Sequence, residues 1–339
     1  MEYRVLGRTG VKVSPVCLGT MMFGAWGNSD HDDCIRIIHQ ALDAGINFVD
    51  TADVYSHGEC EEIVGKALAG RRDSVVLATK VHGKMGEGSN RQGNSRRYIM
   101  QAVEASLSRL KTDWIDLYQL HRADPTTDID ETLRAMDDLI TQGKIRYVGS
   151  STFPAPDIVE AQWCAERRGY ARLTSEQPPY SILVRAAETD VFPVCRRQGM
   201  SVITWSPLAS GWLSGRWRKG QPAPVTSRAG RTPQRFDLTR PENQRKLTVV
   251  DSLAILAESA GLSLVQMAIA WTLTHPAVTS AIVGPRTAEQ LASQLGADGV
   301  KLDAVILDRI DELVAPGTNV SREDGGWQNP SLTVKARRG

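Results

Sequence analysis

The stretch "NFVDTADVYSHGE" (residues 47–59) begins as a buried run, closes on a carboxylate at Asp50, and carries a phenol at Tyr55 five residues later. Working outward, a helical period comes before it, with Ile35, Ile38 and Leu42 on one face and a stop at Gly45. After it comes another short apolar run, "VVLATK" (75–80). This strand-then-helix unit repeats along the chain. The strands read as "CLGTM" (17–21), "NFVD" (47–50), "VVLATK" (75–80), "IDLYQL" (115–120), "IRYVG" (145–149), "LTSEQ" (173–177), "SVITW" (201–205) and "SAIVG" (280–284). Ile99, Val103, Leu107 and Leu110 share a helix face, as do Leu133, Met136 and Ile140. Stops fall at Gly143, Gly169 and Gly261.

Strands apolar on both faces and alternating with helices indicate a parallel sheet, either closed as a (β/α)8 TIM barrel or open and doubly wound. No Gly/Ser linker or composition break marks a second domain, so we expect one barrel over residues 1–339 with a tail from 316. An N-terminal hairpin, "YRVLG" to "VKVSP", precedes it and turns at Arg8 to Gly10. Two segments exceed ordinary connections: Pro207 to about Pro241, and the tail after Pro316. On a barrel both would overhang the active face.

Lysine plus arginine (40) nearly balances aspartate plus glutamate (39), so no long-range field argues for nucleic acid, a membrane surface or a polyanionic partner. The five scattered cysteines lack a C-x-x-C spacing, which points to reduced thiols and away from a zinc site or any other metal site. The N-terminus has no apolar signal region, and no run approaches ~18 apolar residues. These features suggest a soluble cytoplasmic protein with no membrane insertion. The sequon at Asn319 reads as a chance match.

Barrel active sites lie where strands end. Asp50 closes the second strand, Lys80 closes the third, His121 follows the fourth, and Tyr55 sits on the same rim. Together they make a proton donor. An ammonium group beside a phenol stabilises the phenolate, which predicts that Lys80 makes Tyr55 more acidic than usual. Asp50 would keep Lys80 charged and aimed, while His121 as a neutral donor would orient a carbonyl oxygen.

The segments "GINFVDTADVYSHGECEEIVGKAL", "ATKV", "DLYQLHR", "GKIRYVGSSTF", "EQPPYS", "WSPLASGWLSGR" and "AIVGPRTAEQ" together resemble the aldo-keto reductases, nearest the branch with bacterial reductases and potassium-channel β subunits. Asp50, Tyr55, Lys80 and His121 fall in the family's order and spacing. The resemblance implies NADPH lying across the carboxyl end of the barrel without a Rossmann fold. The sequence agrees in lacking a G-x-G-x-x-G after a strand; "GKMGEG" (83–88) has the wrong spacing.

Carried over by position, the resemblance implies that Ser151, Thr152 and Gln177 meet the nicotinamide carboxamide and that Trp205 stacks on the ring. Ser206, Pro207, Leu208, Ser210, Gly211 and Ser214 would form the pyrophosphate loop, with Arg216 adding charge. Arg286 and Gln290 would hold the ribose 2′-phosphate and Gln294 the adenine. Gly19, Thr20 and Met21, with Asp50 and Gly284, complete the implied contacts. Thr152 stands where many relatives carry asparagine or arginine, and Gln294 where asparagine is common.

Phe23, Trp26, Met85, Trp212 and Trp327 are apolar residues expected at the rim, suiting a moderately bulky aldehyde or ketone. Two other functions compete with carbonyl reduction. One is an NADPH-binding, redox-sensing subunit with slow catalysis. The other is a lyase that uses Lys80 as a Schiff-base amine. The sequence leaves the oligomeric state open.

Overall fold

The computed structural model describes residues 1–224 and 227–326. Its ten strands are β1 (Arg4–Val5), β2 (Lys12–Val13), β3 (Val16–Gly19), β4 (Phe48–Asp50), β5 (Val76–Val81), β6 (Ile115–Leu120), β7 (Ile145–Ser151), β8 (Leu173–Gln177), β9 (Ser201–Trp205) and β10 (Val278–Val283). β3 to β10 pair in sequence order, and β10 returns to β3, closing the barrel. Every pair in the ring is parallel. Closure rules out the open, doubly wound alternative.

The barrel is filled, as one of this size must be. Cys17, Phe48, Ala78, Leu117, Ile203 and Ile282 pack inside it. Leu6 and Val13 from the β1–β2 hairpin pack against the same cluster and plug the amino end. With that end sealed, chemistry is left to the carboxyl end.

The outer layer contains α1 (His31–Asp43), α2 (Glu59–Ala67), α3 (Arg96–Leu110), α4 (Ile129–Thr141), α5 (Ala155–Arg168), α6 (Val191–Gln198), α7 (Ser227–Arg231), α8 (Pro241–Ser259), α9 (Leu264–Thr274), α10 (Ala288–Leu295) and α11 (Ala304–Leu313). Side-chain oxygens start many of them: Asp30, Ser95, Asp128 and Asp303 accept from the first-turn backbone of α1, α3, α4 and α11. Ser263 and Gln266 form a reciprocal capping box on α9. The predicted stop at Gly169 is a left-handed cap (φ 73°) on α5. Among the described residues, no single helix is long and apolar enough to cross a membrane.

Strand boundaries differ slightly from the sequence reading. β3 ends at Gly19 because Thr20 turns out of the sheet and donates its N–H to the Asp50 carbonyl. β10 starts two residues early, at Val278, where its register against β9 shifts. The described parts of the two long segments meet at the carboxyl end: Arg235 Nη2 donates to the Glu323 carbonyl at 3.1 Å, and Gly326 packs against Trp205, the last residue of β9. After β9 the chain turns through Ala209–Gly211 and α7 before entering α8. Near the chain's end, Asn319 Oδ1 accepts from the N–H groups of Arg185 and Ala186, so the sequon's side chain is spent on the fold. Trp327 lies outside the described residues.

Candidate active site

Three adjacent strands deliver the central charges. Asp50 ends β4, Lys80 is the fifth residue of β5, and His121 follows β6 directly. Tyr55 arrives on the loop after β4, where Ser56 (φ 46°) and His57 (φ 55°) hold left-handed conformations that L-residues resist. Ser56 stabilises this turn: its hydroxyl donates to the Phe23 carbonyl at 3.0 Å and accepts the Trp26 N–H at 3.1 Å.

Lys80 is fully buried. Its ammonium donates to Asp50 Oδ1, to the Thr51 carbonyl at 2.8 Å and to the Tyr55 hydroxyl at 3.3 Å. An ammonium has three donors, and each has an acceptor. The other Asp50 oxygen accepts from Gln119 Nε2 at 3.1 Å and Gln177 Nε2 at 2.8 Å. The carboxylate is thereby fixed from both sides, which a buried ion pair requires. The His121 ring meets Tyr55 edge-on, with centroids 5.7 Å apart.

The electrostatics correct one expectation. Burial pushes the Tyr55 phenol above the ordinary tyrosine range, and the pull of Lys80 does not overcome it. Tyr55 is therefore a firmly protonated donor, not an unusually acidic one. For Lys80, burial opposes the charge, but Asp50 and Tyr55 outweigh it and leave the ammonium more basic than a free lysine. Burial, reinforced by Lys80, drops His121 well below the usual histidine range, so its ring is neutral.

The positions implied for a cofactor surround this centre. Ser151 is committed to the Gln177 carbonyl at 2.9 Å, and Gln177 gives its amide nitrogen to Asp50. Thr152, at φ 57°, accepts from the Trp205 indole N–H at 3.3 Å and from Arg122 at 3.4 Å. Trp205 closes β9 and lines a small cleft, no larger than a water molecule, with Pro179, Ser206, Ala209, Ser210 and Asp324. Ser206 (φ 61°), Ala209 (φ 47°) and Ser210 (φ 59°) are left-handed too. The Ser206 hydroxyl accepts the Ser210 N–H at 2.8 Å, so the loop with Pro207, Leu208 and Gly211 is a preformed tight turn.

Gly19 and Thr20 are buried against Asp50 and β10, and Met21 is half-buried beside them. A side chain on Gly19 would strike Ile282 at 2.5 Å. Gly284 faces open space; a Cβ there would meet only Gly19 O, at 3.8 Å. Arg216 touches Ser214, and among the described residues neither Arg216 nor Arg286 forms an ion pair. Gln290 accepts the Arg286 N–H at 2.8 Å, and the buried Gln294 Oε1 has no hydrogen-bond partner. Uncommitted cations, an orphan amide oxygen and a glycine opening fit a phosphorylated dinucleotide.

The expected aromatic rim divides. Trp26 stands 6.1 Å from the Tyr55 ring, at the site. Phe23 is fully buried in the main core. Trp212 is buried as well, stacked on Trp217 at 4.2 Å and on Phe236 at 5.9 Å, so it builds the interior of the long β9–α8 segment. Met85 is half-buried in the loop after β5, its N–H bonded to the Arg91 carbonyl.

Three participants went unseen in the sequence. Gln119 holds Asp50, Arg122 places a guanidinium by Tyr55 and His121, and Gly326 packs so close to Trp205 that a Cβ would come within 3.0 Å of the ring. The signal for Arg122 was the dipeptide "HR" itself.

Residues 15–315 match the model of the Aldo/keto reductase family. "Uncharacterized oxidoreductase YrpG" of Bacillus subtilis (strain 168) is 41% identical over 96% of this chain and 100% of its own length. "Probable voltage-gated potassium channel subunit beta" of Arabidopsis thaliana is 37% identical over 93% of this chain and 97% of its own. "Versiconal hemiacetal acetate reductase" of Aspergillus parasiticus is 35% identical over 93% and 98%. Coverage of the whole barrel, at these identities, identifies the chain as a member of the aldo/keto reductase family.

Proposed function

We propose that the protein is an NADPH-dependent reductase that converts an aldehyde or ketone to an alcohol, with Tyr55 as the general acid. The family supports an oxidoreductase acting on carbonyl compounds with NAD(P)H. The observation that carries the finer reading is Lys80 Nζ bridging the Asp50 carboxylate and the Tyr55 hydroxyl at the open end of the barrel.

Ser151, Thr152, Gln177 and Trp205 would hold a reduced nicotinamide, which would supply the hydride. The protein's own residues do the rest. Tyr55 delivers its proton to the carbonyl oxygen as negative charge builds there. An alkoxide is a far stronger base than a phenolate, so even a phenol of raised pKa gives up its proton at that moment. Lys80 then stabilises the phenolate left behind, and Asp50 keeps that ammonium in place. Neutral His121 donates a hydrogen bond to the same carbonyl oxygen and fixes the substrate's angle. Arg286, Gln290 and Arg216 would hold the cofactor's phosphates, which favours NADPH over NADH. The five cysteines, all free and buried, support a reducing, cytoplasmic setting.

The test is consumption of NADPH absorbance with nitrobenzaldehyde. Wild-type protein should turn over, and Tyr55→Phe should lose that activity while still binding NADPH. Near wild-type turnover by Tyr55→Phe would show that the acid is another group. The 37% identity to "Probable voltage-gated potassium channel subunit beta" favours a second reading, a redox-sensing subunit with slow catalysis. Single-turnover kinetics and co-purification of a membrane partner separate the two.

A further inference from the structure

Arg122 is a half-buried guanidinium beside the reacting groups, and the protein does not neutralise it. Its Nη1 donates to two neutral acceptors, the His121 carbonyl and Thr152 Oγ1. The surrounding carboxylates are taken. Asp50 is held by Lys80, Gln119 and Gln177. Asp124 accepts from the N–H groups of Asn94 and Thr126 and from the hydroxyls of Thr126 and Thr127. Glu176 accepts from the Ser150 hydroxyl and the Phe153 N–H; burial lifts it to about 7, so it offers Arg122 only partial charge near neutrality. Among the described residues, Arg122 forms no ion pair.

Burying a cation without a counter-charge is costly, and burial indeed lowers the Arg122 pKa from the ordinary arginine value. Its charge acts on both Tyr55 and His121, so it belongs to their chamber. Across Tyr55, the aromatic wall formed by Trp26 has a second guanidinium over it: Arg231 lies 5.3 Å from the Trp26 ring, also without an ion pair among the described residues. A forked donor of this kind matches a carboxylate, whose two oxygens accept parallel N–H bonds.

We propose that the site takes carbonyl compounds bearing a carboxylate close to the reacting carbonyl, and that Arg122 binds that carboxylate. This rests on the carbonyl-reductase reading above. A cofactor phosphate is the other anion that could meet Arg122, and the test separates the two.

The probes are 3-carboxybenzaldehyde, whose carboxylate lies nearer the aldehyde than a para group would, and its neutral counterpart methyl 3-formylbenzoate, each reduced with NADPH by wild type, Arg122→Gln and Arg122→Lys. Wild type should favour the acid by about tenfold or more in kcat/KM, the scale of one charged hydrogen-bonded contact. In Arg122→Gln the ratio should fall toward one, chiefly through KM. Arg122→Lys should give an intermediate ratio, since it restores the charge without the fork. Equal use of acid and ester by wild type would overturn the proposal while leaving carbonyl reduction intact; that arm does not depend on any variant folding. A preference that survives Arg122→Gln would also overturn it. So would a weakened NADPH dissociation constant in Arg122→Gln with the ratio unchanged, which would assign the arginine to the cofactor. Wild type that reduces neither probe nor any neutral aldehyde would sink both readings.

Discussion

Replacing Asp53 by asparagine removes an ionisable group buried directly behind the catalytic loop. Asp53 is 1% exposed, and neither of its carboxylate oxygens meets a hydrogen-bond partner. Burial, then repulsion from Glu61, push it up to about 8, against the weaker pull of Arg109 and Lys80. In the unfolded chain the same group titrates near ~3.9. The folded protein therefore keeps a proton that the unfolded chain releases, so this group's contribution to stability falls as pH rises through that window. At ~1.4 kcal/mol per pH unit, the gap sets a ceiling between ~5 and ~6 kcal/mol. Relaxation around the buried carboxyl lowers that. We expect the stability advantage of Asp53→Asn over wild type to widen by ~2 to ~4 kcal/mol between pH 5 and pH 8. Urea unfolding followed by circular dichroism across that range measures it. A gap that stays constant with pH would show that Asp53 is already ionised and solvated, refuting the reasoning.

Trp212→Ala should cost ~3–5 kcal/mol in urea unfolding, because it empties the stack with Trp217 and Phe236. Its relative rates across a set of aldehydes should stay the same; a change in that pattern would put Trp212 at the substrate. Gln177→Leu takes one donor from Asp50 Oδ2 and should cost ~1–3 kcal/mol while slowing reduction. Carbonyl reduction should show no histidine titration near ~6.5, since His121 is already neutral there, and should decline only at pH values beyond the ordinary phenol range, where Tyr55 ionises. A pH–rate profile with an inflection that His121→Gln removes would contradict this.

Much of this was legible in the sequence because it depends on local pattern. Each barrel strand is a short apolar run with a turn signal after it, and Asp50, Lys80 and His121 mark strand ends by position alone. Closure was not local: buried parallel strands suit an open sheet equally, and only the pairing of β10 with β3 decides. The rim aromatics show the same limit. Phe23 and Trp26 are three residues apart, yet one ring enters the core and the other faces Tyr55, a choice made by the turn at Gly24–Trp26. Trp212 looked like a rim residue because its partner Phe236 is distant in the chain. Gln119 and Gln177 meet at Asp50 only once the barrel closes. The Tyr55 phenol was misjudged for a related reason: a nearby cation and burial act in opposite directions, and the winner depends on how completely the fold excludes water.

The coupling of Lys80 to Tyr55 is the centre of the account, and alcohol oxidation with NADP⁺ exposes it because that direction needs the phenolate. Its rate should rise with pH as Tyr55 ionises. In Lys80→Met the rise should move to higher pH, with slower turnover throughout. An unchanged midpoint, or one shifted downward, would mean that the ammonium does not govern the phenol.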